Sequence, residues 1–260
     1  MSNDLARNLP TSARVSLGIT GVAVPVQEHL RFQLDHALAR DAVHASLDVA
    51  TLERLLHSRG LSCLTVQSSA ASAGASGRRD VYLRRPDLGR VLHPDSRALL
   101  ENLAAPPVEI AFVLGDGLSS HAIERHALAL LDATLPLLPT ALSAPVVVAT
   151  QARVALGDEI GQLLQARLVV VLIGERPGLS SPDSLGAYIT WDPGPGRNDA
   201  ERNCISNIHA GGLSYEAAAQ RIAYFVREAH RLQLTGVRLK DPNPALTPNS
   251  PKDDKIECSA

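Results

Sequence analysis

Two short apolar runs, Val146-Val-Val-Ala-Thr150 and Leu168-Val-Val-Val-Leu-Ile-Gly174, stand out from an otherwise mixed chain, and each gives way abruptly to polar sequence. Continuous β-branched runs of this length are what strands buried on both faces look like. From Val108 onward such runs alternate with segments of helical spacing. A strand over 109–114 leads through Gly115-Asp-Gly117 to a helix over 120–133, in which Ile123, Ala127, Leu130 and Leu131 keep a helical period. A strand over 146–149 precedes a helix near 158–166. A strand over 168–173 precedes a long loop, a strand over 187–191 and a short strand over 205–208. Ser214 is a suitable N-cap for a last helix over 215–232, and Gly236 opens a closing segment, Val237-Arg-Leu-Lys240. This alternation predicts an α/β fold with a mainly parallel sheet and flanking helices. In such sheets ligands bind in the loops after the carboxyl ends of the strands. The segments after Thr150 and Gly174, with the polar stretch Asp199-Ala-Glu-Arg-Asn-Cys-Ile-Ser-Asn-Ile208, are therefore where a site is expected.

The first part of the chain reads differently. Residues 1–24 are weakly patterned and resemble an arm. Residues 26–43 predict a helix with Leu30, Leu34, Ala37 and Leu38 on one face. A short helix over 52–58 stops at Gly60, a strand over 61–66 follows, and the Ser/Ala/Gly tract 68–77 reads as a flexible surface loop. A helix over 95–103 is closed off by Pro106-Pro107. The expected organisation is a mostly helical region over 1–107, a domain over 108–240, and a disordered, Pro-bearing tail over 241–260.

Composition narrows the function classes. With 260 residues, 45% hydrophobic and 20% charged, the chain reads as a soluble globular protein. No run approaches the roughly 18 apolar residues of a membrane span. The start, Met1-Ser-Asn-Asp-Leu-Ala-Arg7, lacks the apolar core of a secretory signal, so a cytoplasmic setting is expected. Cys63, Cys204 and Cys258 lie too far apart for a disulfide framework or a metal knuckle. A net charge of −2 and 3% aromatic residues give no footprint for nucleic acid. Arginine outnumbers lysine 22 to 3, a bias that by itself assigns no role to any one guanidinium.

Gly115-Asp-Gly-Leu-Ser-Ser120 sits where a dinucleotide fingerprint would sit, but Ser120 replaces its third glycine and Ala149-Thr150-Gln151 lacks the acidic residue that holds a ribose. A weaker anion site at that helix start, or a tight turn capped by a serine, are the remaining readings. His121 and His126 are five residues apart, about 140° around a helix, so they do not share a metal easily. No Gly-x-Ser-x-Gly elbow occurs. Cys204, two residues after Arg202, is either a nucleophile or a small buried residue. Asn207-Ile-His-Ala-Gly-Gly212 is similar to a cobalt-ligating Asp-x-His-x-x-Gly motif, but Asn207 replaces the carboxylate that would orient His209, so no metal ligand is assigned. In Gly174-Glu-Arg-Pro-Gly-Leu179, Pro177 and Gly178 favour a turn that holds Glu175 at a strand's carboxyl end.

Seven segments, in order, resemble the small (light) subunit of ethanolamine ammonia-lyase. They are Phe32-Gln-Leu-Asp-His-Ala-Leu-Ala-Arg-Asp-Ala-Val-His44, Tyr82-Leu-Arg-Arg-Pro-Asp-Leu-Gly-Arg90, Gly115-Asp-Gly-Leu-Ser119 and Gln151-Ala-Arg-Val-Ala-Leu-Gly-Asp158, followed by Gly174-Glu-Arg-Pro-Gly-Leu179, Arg202-Asn-Cys-Ile-Ser-Asn-Ile208 and Gly236-Val-Arg-Leu-Lys240. They span about residues 15–240; the tract at 68–77 looks like an insertion and 241–260 like an extension. The resemblance implies a Rossmann-like sheet. It also implies an adenosylcobalamin-dependent lyase that converts ethanolamine to acetaldehyde and ammonia by a radical mechanism. The cofactor would lie between this chain and a large subunit, and the large subunit would carry the substrate and the catalytic residues. Family cofactor contacts carry over to Val154, which would pack against the cofactor, to Glu175, which would accept hydrogen bonds from it, and to Cys204, which would line the same pocket. A hetero-oligomer is implied, with housing in a bacterial microcompartment as a family expectation.

Overall fold

The computed structural model describes residues 23–71, 79–103, 106–140 and 142–241. Residues 1–22 of the expected arm at 1–24, most of the predicted loop at 68–77 and the expected tail beyond 241 lie outside these residues. Six strands form one mixed sheet: β1 (Cys63–Gln67), β2 (Val108–Gly115), β3 (Val146–Thr150), β4 (Ala166–Gly174), β5 (Leu185–Trp191) and β6 (Arg202–Ile208). Their order is β1-β3-β2-β4-β5-β6. The pairs β1/β3, β3/β2 and β2/β4 are parallel, while β4/β5 and β5/β6 are antiparallel. The expected mainly parallel sheet is thus parallel over four strands and continues into an antiparallel edge. β1 joins it from ahead of residue 108.

The continuous apolar runs are explained by a core on each face. Ile110, Phe112 and Leu114 of β2 point to one side, with Val146, Val148, Leu168 and Val170. Against that side pack the helices after β2, α5 (Ser120–Ala122) and α6 (Leu128–Thr134), together with α8 (Tyr215–Leu232). Ala111 and Val113 point the other way, with Val147, Val169 and Val171, onto α7 (Leu156–Leu163) and α4 (Pro94–Glu101). Alternate residues of each strand therefore bury against different helices. The connections after β2 and β3 leave on opposite faces, so the carboxyl ends of these neighbouring strands flank a crevice.

Several boundaries differ from the sequence expectation. The helix after β2 is not continuous: a π-helical turn, Ile123–Ala127, separates α5 from α6. Ala166 begins β4 and does not end α7, because Gln165 turns the chain with φ +52°. β6 starts at Arg202, three residues before the expected strand. Residues 68–71 of the predicted loop are an anchor, with Ser68 buried and its Oγ donating to the Gln151 carbonyl at 2.7 Å. α1 (Val26–His44) does carry the expected apolar stripe, but Leu30, Leu34 and Leu38 are 58%, 59% and 50% exposed, so the stripe faces away from the body. Only Ala42 of this helix is buried. α2 (Val49–His57) is capped by Asp48, whose carboxylate accepts from the Thr51 N–H, and α8 by Ser214, whose Oγ accepts from the Ala217 N–H. No helix among the described residues is long and apolar enough to cross a membrane.

A buried ion pair fastens the segment before α3 (Asp80–Arg84) to the sheet. Arg79 Nη1 lies 3.3 Å from Asp116 Oδ2, and both side chains are almost fully buried. Arg79 also donates to the carbonyls of Ala45 and Gly117. Asp116 Oδ1 accepts from the Ala152 N–H at 3.0 Å. Burial pushes the Asp116 carboxyl above its ordinary range, against the opposing pull of Arg79 and backbone N–H groups. Removing the guanidinium leaves a buried carboxylate without its cation, which costs about 3–5 kcal/mol. Arg79→Met should lower stability in urea unfolding by about that amount, and adding Asp116→Asn should recover part of it. A carboxyl raised in the folded state contributes stability that is present below its unfolded value and lost as pH rises through its folded value. Without Arg79 that folded value rises further, so the deficit of Arg79→Met should shrink as pH falls below neutrality. A loss under about 1 kcal/mol, or a deficit that grows on acidification, contradicts this assignment.

Candidate functional site

The crevice at the carboxyl ends of β2, β3 and β4 is a cleft of about 430 Å³. Its walls include Gly117 and Leu118 after β2, Arg153 and Val154 after β3, and Glu175 after β4. Tyr82, Tyr188 and Arg176 also line it. Gly117 takes φ +56°, and a Cβ there would fall into the Gly174 backbone, so the β2 and β4 ends approach as only glycine permits. A second cleft of about 360 Å³ shares Arg153 and Val154 with the first and continues past Arg90 and Asn198.

The loop after β3 is built by hydrogen bonds from three directions. Gln151 adopts φ +52°, which turns the chain out of the sheet. The Ala152 N–H is held by Asp116, the Tyr82 hydroxyl donates to the Ala152 carbonyl at 2.9 Å, and the Arg153 N–H donates to the Gly89 carbonyl at 2.8 Å. Val154 follows, half-buried, with one side against the core and the other on both clefts. Burial pushes the Tyr82 hydroxyl far above its ordinary range, which keeps it a neutral donor.

Glu175 is held at the opposite wall. Its N–H donates to the Ser184 carbonyl at 2.9 Å. Its Oε2 accepts from Ser184 Oγ at 2.5 Å and from the Asn207 N–H at 3.2 Å. Its Oε1 accepts no hydrogen bond from the described residues, which leaves a free acceptor on a residue that lines the cleft. Val154 and Glu175 thus line one cleft, from loops after two different strands.

Cys204 is placed differently from the polar loop expected for it. It lies within β6, exposed, directly across from Tyr188 of β5. Tyr188, its cross-strand partner, lines the cleft, and Cys204 is not itself among the lining residues. Desolvation pushes its thiol above the ordinary value, with Glu175 and Asp199 adding to the shift, while hydrogen bonds to Ser206 and Tyr188 oppose it. A raised thiol is the opposite of an activated nucleophile.

The rival features resolve without a ligand. The Gly115–Ser120 loop spends several polar groups internally: the Asp116 N–H donates to the Ala149 carbonyl, the Leu118 N–H to that of Gly174, and Ser119 Oγ to that of Pro182, while Ser120 Oγ is buried without a hydrogen-bond partner. The α-helical turn after it has only three residues. His121 bonds Glu124, His126 is buried against the Tyr215 hydroxyl at 2.7 Å, and His209 bonds Asn207 at 2.8 Å. Among the described residues no three His, Cys, Asp or Glu side chains come together to hold a metal. Sequence reasoning does not single out Tyr82, Arg153 or Tyr188, although the first two lie inside segments that carry the resemblance. Only their contacts, made across the sheet, bring them to the cleft.

The Cys204 assignment has a direct readout. In a Cys63→Ser, Cys258→Ser background, iodoacetamide alkylation of Cys204 should rise with pH through a midpoint above that of an ordinary thiol. A midpoint at or below the ordinary value contradicts the raised thiol and reopens a nucleophilic role.

The family described as Ethanolamine ammonia-lyase light chain (EutC) matches residues 4–240 of this chain. A protein named ethanolamine ammonia-lyase small subunit from Bradyrhizobium diazoefficiens is 55% identical over 234 residues, covering 89% of this chain and 87% of that protein. The correspondingly named protein of Rhodopseudomonas palustris is 54% identical over 240 residues, covering 92% and 89%. That of Azotobacter vinelandii is 50% identical over 236 residues, covering 89% and 85%. Matched at this level across nearly its whole length, this chain belongs to the ethanolamine ammonia-lyase light-chain family.

Proposed function

We propose that this chain is the small subunit of a two-subunit ethanolamine ammonia-lyase and supplies one wall of an adenosylcobalamin site, with a large subunit closing the other side. The observation that carries the reading is the convergence of Val154 and Glu175 on one cleft at the strands' carboxyl ends. Neither this cleft nor its neighbour is large enough to enclose a corrinoid, which suits a site that is completed by a partner.

The residues fit the group. A corrinoid presents an apolar ring bordered by carboxamides. Val154 offers an apolar surface, and the unengaged Oε1 of Glu175 offers an acceptor to a carboxamide N–H. Ser184 and the Asn207 backbone fix the carboxyl through its other oxygen, Oε2. Tyr188 and Cys204 would form the adjoining edge. When bound, adenosylcobalamin supplies the radical chemistry, and this chain's part is to orient the ring and keep water from its flank. The ethanolamine-binding and catalytic groups are assigned to the large subunit. A Rossmann-like description of the parallel strands and a cytoplasmic or microcompartment setting belong to the same proposal.

Acetaldehyde release from ethanolamine with adenosylcobalamin should require both the large subunit and this chain. Activity of the large subunit alone at the same rate contradicts the proposal. In the assembled enzyme, Glu175→Ala should weaken adenosylcobalamin binding about tenfold or more, the scale of a hydrogen bond to a carboxyl group. If Glu175→Ala combined with Cys204→Trp leaves the affinity unchanged, the cofactor does not meet this wall.

A further inference from the structure

Arg153 stands at the neck between the two clefts and lines both. Its guanidinium lies 4.4 Å from the centre of the Tyr82 ring, and its Nη2 donates to the Tyr82 carbonyl at 3.3 Å. Its Nε is buried with no hydrogen-bond partner. No carboxylate among the described residues pairs with it. Two of the neighbouring guanidiniums are committed elsewhere, while Arg176, exposed on the first cleft, has no carboxylate partner among the described residues. Arg202 pairs with Asp158 at 2.5 Å, and Arg197 pairs with Asp192 and Glu201 at 2.7 Å each. Arg90, exposed at the rim of the second cleft, also has no carboxylate partner among the described residues. The acidic side chain lining that cleft, Asp199, lies 3.5 Å from Arg202.

A half-buried guanidinium without a counter-charge is a demand for an anion, because desolvation of the cation is otherwise uncompensated. Its planar fork matches phosphate oxygens, and stacking on Tyr82 limits the orientations it can take. Adenosylcobalamin carries one anionic link, the phosphodiester between its amide-bearing ring and its terminal base. With the ring at Val154 and Glu175, a tail that leaves the first cleft for the second must pass the Arg153 neck. We propose that Arg153 anchors the phosphodiester of the cofactor's nucleotide tail, with Arg90 beside the path of that tail; this rests on the cofactor reading above.

The test compares two corrinoids on the assembled two-subunit enzyme: adenosylcobalamin, and adenosylcobinamide, which keeps the ring and adenosyl group but lacks the phosphodiester and base. Binding is read by equilibrium dialysis and absorbance, without turnover. Arg153→Gln should weaken adenosylcobalamin about 10- to 100-fold, the scale of a charge-assisted hydrogen bond. It should leave adenosylcobinamide within about twofold, because that ligand lacks the anionic link Arg153 would hold while keeping the ring that meets Val154 and Glu175. Arg153→Lys, which keeps the charge and loses the fork, should fall between wild type and Arg153→Gln on adenosylcobalamin alone. Adenosylcobinamide phosphate separates the two missing parts: it should regain sensitivity to Arg153→Gln if the phosphate is what is held. Equal losses on all ligands show that Arg153 only supports the Tyr82 wall, and no loss on any shows that it does not meet the tail. Either result overturns this proposal while the cofactor reading stands. Wild-type enzyme that binds neither corrinoid overturns the cofactor reading and this proposal with it.

Discussion

The cleft depends on the buried Arg79–Asp116 pair. Asp116 opens the turn after β2, and through its Oδ1 it holds the Ala152 N–H at the start of the loop after β3. Arg79 reaches the same carboxyl from the segment before α3, and it also ties down Ala45 at the end of α1 and Gly117 at the cleft wall. Three parts of the chain that are distant in sequence are thus fixed by one charge pair. An uncompensated buried charge would be expensive, so the native arrangement is strongly preferred over one in which these loops drift apart. The strands supply the platform, but this pair sets the spacing of the walls.

A second buried network organises the far side. Asp158 and Glu159 at the start of α7 are both buried, the first paired with Arg202 of β6 and the second with Arg97 of α4 and the Leu92 N–H. Acidic residues suit a helix's first turn, where they face the positive end of its dipole. Through Arg202 the same helix is joined to the strand that carries Cys204. The two clefts therefore sit between two charge networks, and Arg153, on the loop between them, belongs to neither.

What is legible in the sequence follows from what the chain buries. β2, β3 and β4 are readable because strands covered on both faces become continuous apolar runs, and the loops that follow β3 and β4 hold Val154 and Glu175. β6 is only half visible, because its first residues are satisfied by polar contacts that leave no hydrophobic period. Asn203 Nδ2 donates to the carbonyls of Gly236 and Leu239, and Asn203 Oδ1 accepts from the Gly236 N–H. That is why Cys204 reads as a loop residue and is found in a strand. The periodicity of α1 identifies a helix and its apolar stripe, but periodicity cannot tell which face meets the body. The Arg79–Asp116 pair is invisible in the sequence because its members are far apart and nothing in the pattern links them. Two wall loops of the candidate site are legible, and neither the tyrosines beside them nor the fastening of those walls is.

The central claim is that the loops after β3 and β4 form the part of the cofactor site contributed by this chain. Amide hydrogen exchange of this chain within the two-subunit assembly, with and without adenosylcobalamin, addresses it most directly. The account predicts that cofactor slows exchange at 151–156 and 174–176, while the amides of 115–120 change little. Protection confined to 115–120, or no change at the two loops with cofactor demonstrably bound, would contradict it.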